Sequence, residues 1–221
     1  MTKKVLMVLT NASEMKDGHK TGLWLSEFGE AYVEFDREGY DITVASPAGG
    51  QTPVDARSLE GEVSEDILET KRHLENTIDL RTIEDFSAYD AIFLPGGHGT
   101  MFDLPGSEVL GRALRELYEA DKTVAAVCHG PAGLVGATLS DGSPLVKGKT
   151  IATFTDEEER ATGLDIYMPF MLETRLRELG ANVVLADNFT ANVQVDGKLI
   201  TGQNPQSTVG VAKAVIDSLN G

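Results

Sequence analysis

The chain contains one cysteine, Cys128, in 221 residues. An intrachain disulfide is excluded, and so is a metal centre built from several thiolates. Basic side chains are scarce: 19 Lys and Arg stand against 35 Asp and Glu, a formal net charge of -16. This balance argues against nucleic acid and anionic membranes as partners, since both need a basic surface. No apolar run approaches the ~20 residues that span a bilayer. Met1 to Leu9 has the basic-then-apolar outline of a signal peptide, but the run is short and Asn11, Ser13 and Glu14 follow at once. A first strand and a cytoplasmic location are expected instead. The four histidines form neither H-x-x-x-H nor H-E-x-x-H, and neither a P-loop nor G-x-G-x-x-G occurs, so no metal and no cofactor is signalled. Internal repeats and low-complexity segments are missing.

What is present reads as a folded α/β chain. Apolar residues make up 41% and charged residues 24%, as in ordinary soluble proteins, and the length suits one domain over 1–221. Short apolar runs at Val5–Thr10, Ile42–Ala45, Ala91–Pro95, Lys122–Val127 and Thr150–Phe154 have the length of buried strands. Helical spacing appears over Leu23–Glu38, about Glu62–His73, Ser107–Ala120 (with Ser107 as cap), Pro169–Leu179 and Pro205–Leu219. Between Gln51 and Leu80 no strand is evident. Asn182–Leu185 reads as a strand, and Val193–Ile200 as a hairpin turning on Asp196-Gly197. Alternating strands and helices predict a doubly wound, mostly parallel sheet with helices on both faces, a flavodoxin-like three-layer sandwich. Its site should lie at the carboxyl ends of the strands.

The stretch Val127-Cys128-His129-Gly130-Pro131 joins such a strand to the helix-permissive Ala132–Leu139. A lone cysteine is often a buried structural residue. Here the strand–Cys–His–Gly–Pro–helix context favours a nucleophile elbow, with Pro131 at the first helical position and the helix start favouring thiolate. Gly96-Gly97-His98-Gly99 follows another strand and is either a plain glycine turn or a ligand loop. In the second case the Gly97 and His129 N–H groups could form an oxyanion hole. Glu27 lies among Trp24, Phe28 and Ala31, where it is either a solvated helical carboxylate or one whose pKa is raised enough to bond a thiolate. Glu157, Glu158 and Glu159 suit a solvated helix start, and one of them could orient His129.

Ala126–Pro131, Leu94–Gly99, Ala45–Gly50 and Thr201–Pro205 together resemble the ThiJ/PfpI superfamily, with its glutamine-amidotransferase-like fold. Thr21–Glu27 and Asp55–Ser58 resemble its branch of glutathione-independent glyoxalases (glyoxalase III) and heat-inducible chaperones. The resemblance spans nearly the whole chain. It implies Cys128 as nucleophile, His129 as its histidine, Glu27 as the glutamate bonded to the cysteine, and Glu159, or its neighbour Glu158, as the acid of the triad. Gly96, Gly97, His98 and Trp24 are then expected to line the substrate and oxyanion site. The implied reaction converts methylglyoxal, or a similar 2-oxoaldehyde, to a 2-hydroxy acid such as D-lactate through a cysteine hemithioacetal. Deglycation, a holdase role toward unfolded clients, and a lower-ranked cysteine peptidase or amidase are the alternatives. The resemblance also suggests a homodimer.

Overall fold

The structure, a computed structural model, describes residues 2–221. Nine strands are present: β1 (Lys4–Val8), β2 (Asp41–Ser46), β3 (Ile78–Asp79), β4 (Ala91–Leu94), β5 (Thr123–Val127), β6 (Thr150–Ile151), β7 (Asn182–Val183), β8 (Val193–Asp196) and β9 (Leu199–Gly202). The helices are α1 (Leu25–Arg37), α2 (Glu65–Glu69), α3 (Thr100–Asp103), α4 (Glu108–Glu119), α5 (Ala132–Val135), α6 (Asp156–Thr162), α7 (Leu172–Glu178) and α8 (Thr208–Asn220). Seven strands form one sheet in the order β3-β2-β1-β4-β5-β9-β8, parallel except for the β8–β9 hairpin.

Side-chain alternation along a strand sends neighbours to opposite faces, and β1 divides the core in this way. Val5 and Met7 join α1 and α8 through Phe28, Phe35, Val211 and Val215. Leu6 and Val8 join α4, α5 and α7 through Leu114, Leu134 and Leu176. Burying each such side chain contributes about 1.5–3 kcal/mol. These two cores make the expected three layers. The order turns back at β1, with β2 on one side and β4 on the other, and a crevice opens there at the carboxyl ends of the strands.

Several expectations need correction. The stretch between Gln51 and Leu80 does hold a strand, β3, but it is two residues long and pairs only with β2, too short for an alternation signal. The helix read over Glu62–His73 is α2 followed by a tighter turn over Thr70–Leu74. The fifth strand is only Thr150–Ile151, paired with β7 in a separate ladder outside the main sheet. The hairpin loop is Gly197-Lys198, because Asp196 still pairs with Leu199 while its carboxylate accepts the Thr150 N–H at 2.8 Å. Ser107 caps α4 as expected, accepting the Leu110 N–H.

Candidate active site

Strand β5 is buried throughout and delivers the chain to Cys128, whose φ is 59°. A side-chain-bearing residue in that left-handed region is strained. Its backbone is fixed on both sides. The Cys128 N–H donates to Gly202 O at 3.0 Å, and the Phe154 N–H donates to Cys128 O at 2.9 Å. Gly130 is required here, since a Cβ would lie 2.0 Å from Leu94 O. The thiol is thereby turned out of the elbow toward the crevice. The helix that follows is shorter than the sequence suggests: α5 has four residues, with Pro131 at its cap. So short a helix supplies little dipole. Burial instead pushes the Cys128 thiol up, and an ionised Glu27 beside it would push it further.

Glu27 sits in the first turn of α1 and is wholly buried. Its position follows from how the preceding segment is threaded. The Leu23 N–H donates to Pro53 O, and the Trp24 N–H donates to Gly96 O. Gly97, at φ 100°, packs so closely on this segment that a Cβ would meet Gly22 O at 2.3 Å. Glu27 Oε2 accepts the Gly96 N–H at 2.6 Å, while Oε1 has no nitrogen or oxygen partner and its carboxyl neighbours the Cys128 thiol. Burial drives its pKa to about 8, outweighing the Cys128 and Gly96 contacts. The Glu27–Cys128 pair therefore holds protons on both members near neutral pH.

On the other side of the thiol, His129 Nδ1 lies 3.4 Å from Cys128 Sγ. His129 Nε2 lies 2.5 Å from Glu159 Oε2, and His98 Nε2 lies 2.7 Å from Glu159 Oε1. Burial alone would raise Glu159, but the charges and hydrogen bonds of His129 and His98 outweigh it and hold the carboxyl well below the ordinary carboxylate range. A carboxylate only accepts, so both imidazoles carry their proton on Nε2. His129 Nδ1 is then an acceptor facing the thiol. Burial, helped by His129, lowers His98 to about 4, so its ring is neutral near pH 7. Its Nδ1 faces Arg57 Nη2 at 3.4 Å. Arg57 is in turn gripped by the buried Asp55 through two contacts, one of them Nε to Oδ1 at 2.9 Å.

The structure thus brings Cys128, His129, Glu27 and Glu159 together and sets Glu158 apart. Glu158 caps α6 with Thr155 and accepts from the Phe189 N–H, Gln203 Nε2 and Asn204 Nδ2. Both glutamates are buried rather than solvated. Gly96 is also corrected. Its N–H is committed to Glu27 rather than to a ligand. The Gly97 N–H, by contrast, donates to no oxygen among the described residues, and the His129 N–H faces the Cys128 sulfur. Arg57 and Asp55 were not legible as site residues; Asp55 caps a local turn by accepting the Arg57 N–H, and nothing nearby in sequence points to His98.

A cavity of about 770 Å³ opens on the thiol. Trp24, Gly97, His98, Cys128 and His129 line it, with Phe154 and Phe189. His98, His129 and Glu159 offer ligand atoms within 4.8 Å of one another and are the group here able to hold a metal ion. Their mutual hydrogen bonds account for the same closeness. No described helix is long and apolar enough to cross a membrane.

The DJ-1/PfpI family profile matches residues 3–218. The chain belongs to the DJ-1/PfpI family. It is similar to Glyoxalase 3 of Candida albicans, with 34% identity over an alignment covering 96% of this chain and 97% of the relative. It is also similar to the glutathione-independent glyoxalase HSP31 of Saccharomyces cerevisiae, with 32% identity and 98% coverage of both. Among crystal structures, Rapid Encystment Protein 24 kDa of Francisella tularensis superposes with a TM-score of 0.94 at 35% identity, covering 99% of each chain. As a DJ-1/PfpI protein the chain carries the fold expected from its motifs.

Proposed function

We propose that this protein is a glutathione-independent glyoxalase that uses Cys128 to convert 2-oxoaldehydes, methylglyoxal among them, to 2-hydroxy acids. The observation that carries the reading is the placement of one buried thiol between the Glu27 carboxyl and the His129–Glu159 pair. The names of the relatives at 32% and 34% identity support the same chemistry.

In the proposed course, His129 Nδ1 takes the thiol proton as sulfur adds to the aldehyde carbon, giving a hemithioacetal. The new oxygen is stabilised by the Gly97 and His129 N–H groups. Glu27, in the ionised form that a pKa of about 8 leaves accessible near the working pH, then takes the proton from the carbon bearing sulfur and returns it to the neighbouring carbon by way of an enediol. The product of this transfer is a 2-hydroxy thioester. Water cleaves it, releasing the 2-hydroxy acid and restoring the thiol. No electrons are gained or lost overall, since one carbon is oxidised as its neighbour is reduced. The test is lactate formation from methylglyoxal without glutathione, in wild type and in Cys128→Ala.

A further inference from the structure

Two residues other than glycine and aspartate adopt positive φ among the described residues: Cys128 at 59° and Phe189 at 57°. Both line the same cavity. A bulky side chain in this region is an outlier that persists only where its surroundings impose it. Here the imposing group is buried. The Phe189 N–H donates to Glu158 Oε1 at 2.8 Å, and the same oxygen accepts from Gln203 Nε2 at 3.1 Å and Asn204 Nδ2 at 2.9 Å. Asn204 also holds the next residue, donating to Thr190 O at 2.7 Å. The reward for this strain is not burial, because Phe189 remains 45% exposed. Its ring stands 6.3 Å from that of Phe154, and Phe154 lies 4.3 Å from His129 with the two rings tilted by 35°. A continuous aromatic ledge therefore runs from the catalytic imidazole to the cavity mouth.

The cavity is also large for methylglyoxal, a molecule of only a few heavy atoms. Its volume of about 770 Å³ falls in the range of roughly 300–1,000 Å³ that encloses far larger ligands. The wall carries Glu30, Glu60 and Glu62, while its one cation, Arg57, is paired with Asp55. Such a lining disfavours an anionic substituent.

We propose that Phe189 is a specificity-determining residue, and that the site takes 2-oxoaldehydes bearing a neutral aromatic substituent seated on Phe189 and Phe154. The proposal rests on the glyoxalase reading above for its chemistry. An offset or edge-on ring pair adds roughly 0.5–1.5 kcal/mol beyond area burial, about twofold to twelvefold in rate or affinity.

The test compares initial rates on phenylglyoxal and methylglyoxal, without glutathione, for wild type, Phe189→Ala and Phe189→Gly. The glycine variant tolerates the left-handed backbone and so keeps the loop while removing the ring. Wild type should favour phenylglyoxal in kcat/KM by about tenfold, and both variants should lose most of that preference, falling several times further on phenylglyoxal than on methylglyoxal. An unchanged ratio in both variants, or equal loss on both substrates, would overturn the proposal. A second arm is independent of turnover. Trp24 is the only tryptophan in the chain and lines the cavity, so its fluorescence in Cys128→Ala reports binding of 2-hydroxyacetophenone and hydroxyacetone. Tighter binding of the aryl ketol, weakened when Phe189→Gly is added, supports the aromatic subsite even if neither aldehyde turns over, an outcome that sinks only the glyoxalase reading. Equal binding of the two ketols overturns the subsite.

Discussion

Arg57 Nη2 lies 3.4 Å from His98 Nδ1, on an imidazole whose Nε2 faces Glu159. Because an arginine can only donate, this contact fixes the neutral His98 ring with its proton on Nε2. His98 thus becomes a second donor to Glu159 and helps hold the carboxylate that orients His129. Arg57 is a positioning residue in this scheme, three hydrogen bonds removed from the imidazole that faces sulfur.

Arg57→Met should therefore raise the His98 pKa, because the Arg57 charge is one of the causes that lower it to about 4. With four histidines in the chain, the His98 titration is accessible to NMR. The acid limb of the activity profile should move to higher pH, with kcat falling more than KM rises. A profile that keeps its shape, with unchanged His98 titration, would show that Arg57 serves only the local turn.

Glu158 and Glu159 are adjacent in sequence and should behave oppositely. Glu159→Gln removes the charge between two imidazoles, and activity should fall about a hundredfold or more with little change in Tm. Glu158→Ala leaves the Thr155, Phe189, Gln203 and Asn204 donors without their acceptor. Each orphaned buried donor costs about 1–3 kcal/mol, so this variant should lose several kcal/mol of stability. Thermal melts beside rate measurements decide the assignment, and exchanged phenotypes would reverse it.

Glu27 gives a pH dependence of stability with a definite sign. Its pKa is about 8 in the folded protein against an ordinary 4.5. The folded state therefore holds the proton more tightly. Glu27 contributes most below pH 4.5, and that contribution is lost as pH rises toward 8. At roughly 1.4 kcal/mol per unit, the window is worth a few kcal/mol. Glu27→Gln cannot titrate, so its stability relative to wild type should increase steadily from pH 5 to pH 8. A constant difference across that window would mean that Glu27 is already ionised in the native protein.

Gly97 is placed where a side chain is excluded twice, by φ of 100° and by Gly22 O at 2.3 Å from the missing Cβ. Gly97→Ala should lower Tm and loosen the loop that presents the Gly97 N–H, costing both stability and kcat. Circular dichroism melts together with rates check this; wild-type values of both would show that the loop can move aside freely.

The parts of the fold that sequence revealed are those with strong local periodicity. Buried runs such as Ala91–Leu94 and Thr123–Val127, and amphipathic α4 with its Ser107 cap, are visible because each pattern is satisfied within one element. Strand β3 is invisible because two residues cannot alternate, and Thr150–Phe154 reads as a longer strand than it is because the apolar run continues past Ile151, where the ladder ends, to Phe154, which lines the cavity. The elbow was legible from Cys128, His129, Gly130 and Pro131. Choosing between Glu158 and Glu159 was not possible from the residues alone, since one residue of helical rotation decides which carboxylate meets His129. Asp55 and Arg57 lie in a stretch that carries the family resemblance, but the reach of Arg57 to His98, like that of Phe154 and Phe189 to the cavity, is set by tertiary packing, which leaves no local mark.

The central claim is that Cys128 is the nucleophile of a glutathione-independent glyoxalase. The most direct measurement is lactate production from methylglyoxal, without glutathione, by wild type and by Cys128→Ala, each checked for native folding. The account predicts steady lactate formation by wild type and none above background by the variant. Equal lactate from both, or none from folded wild type, would contradict it.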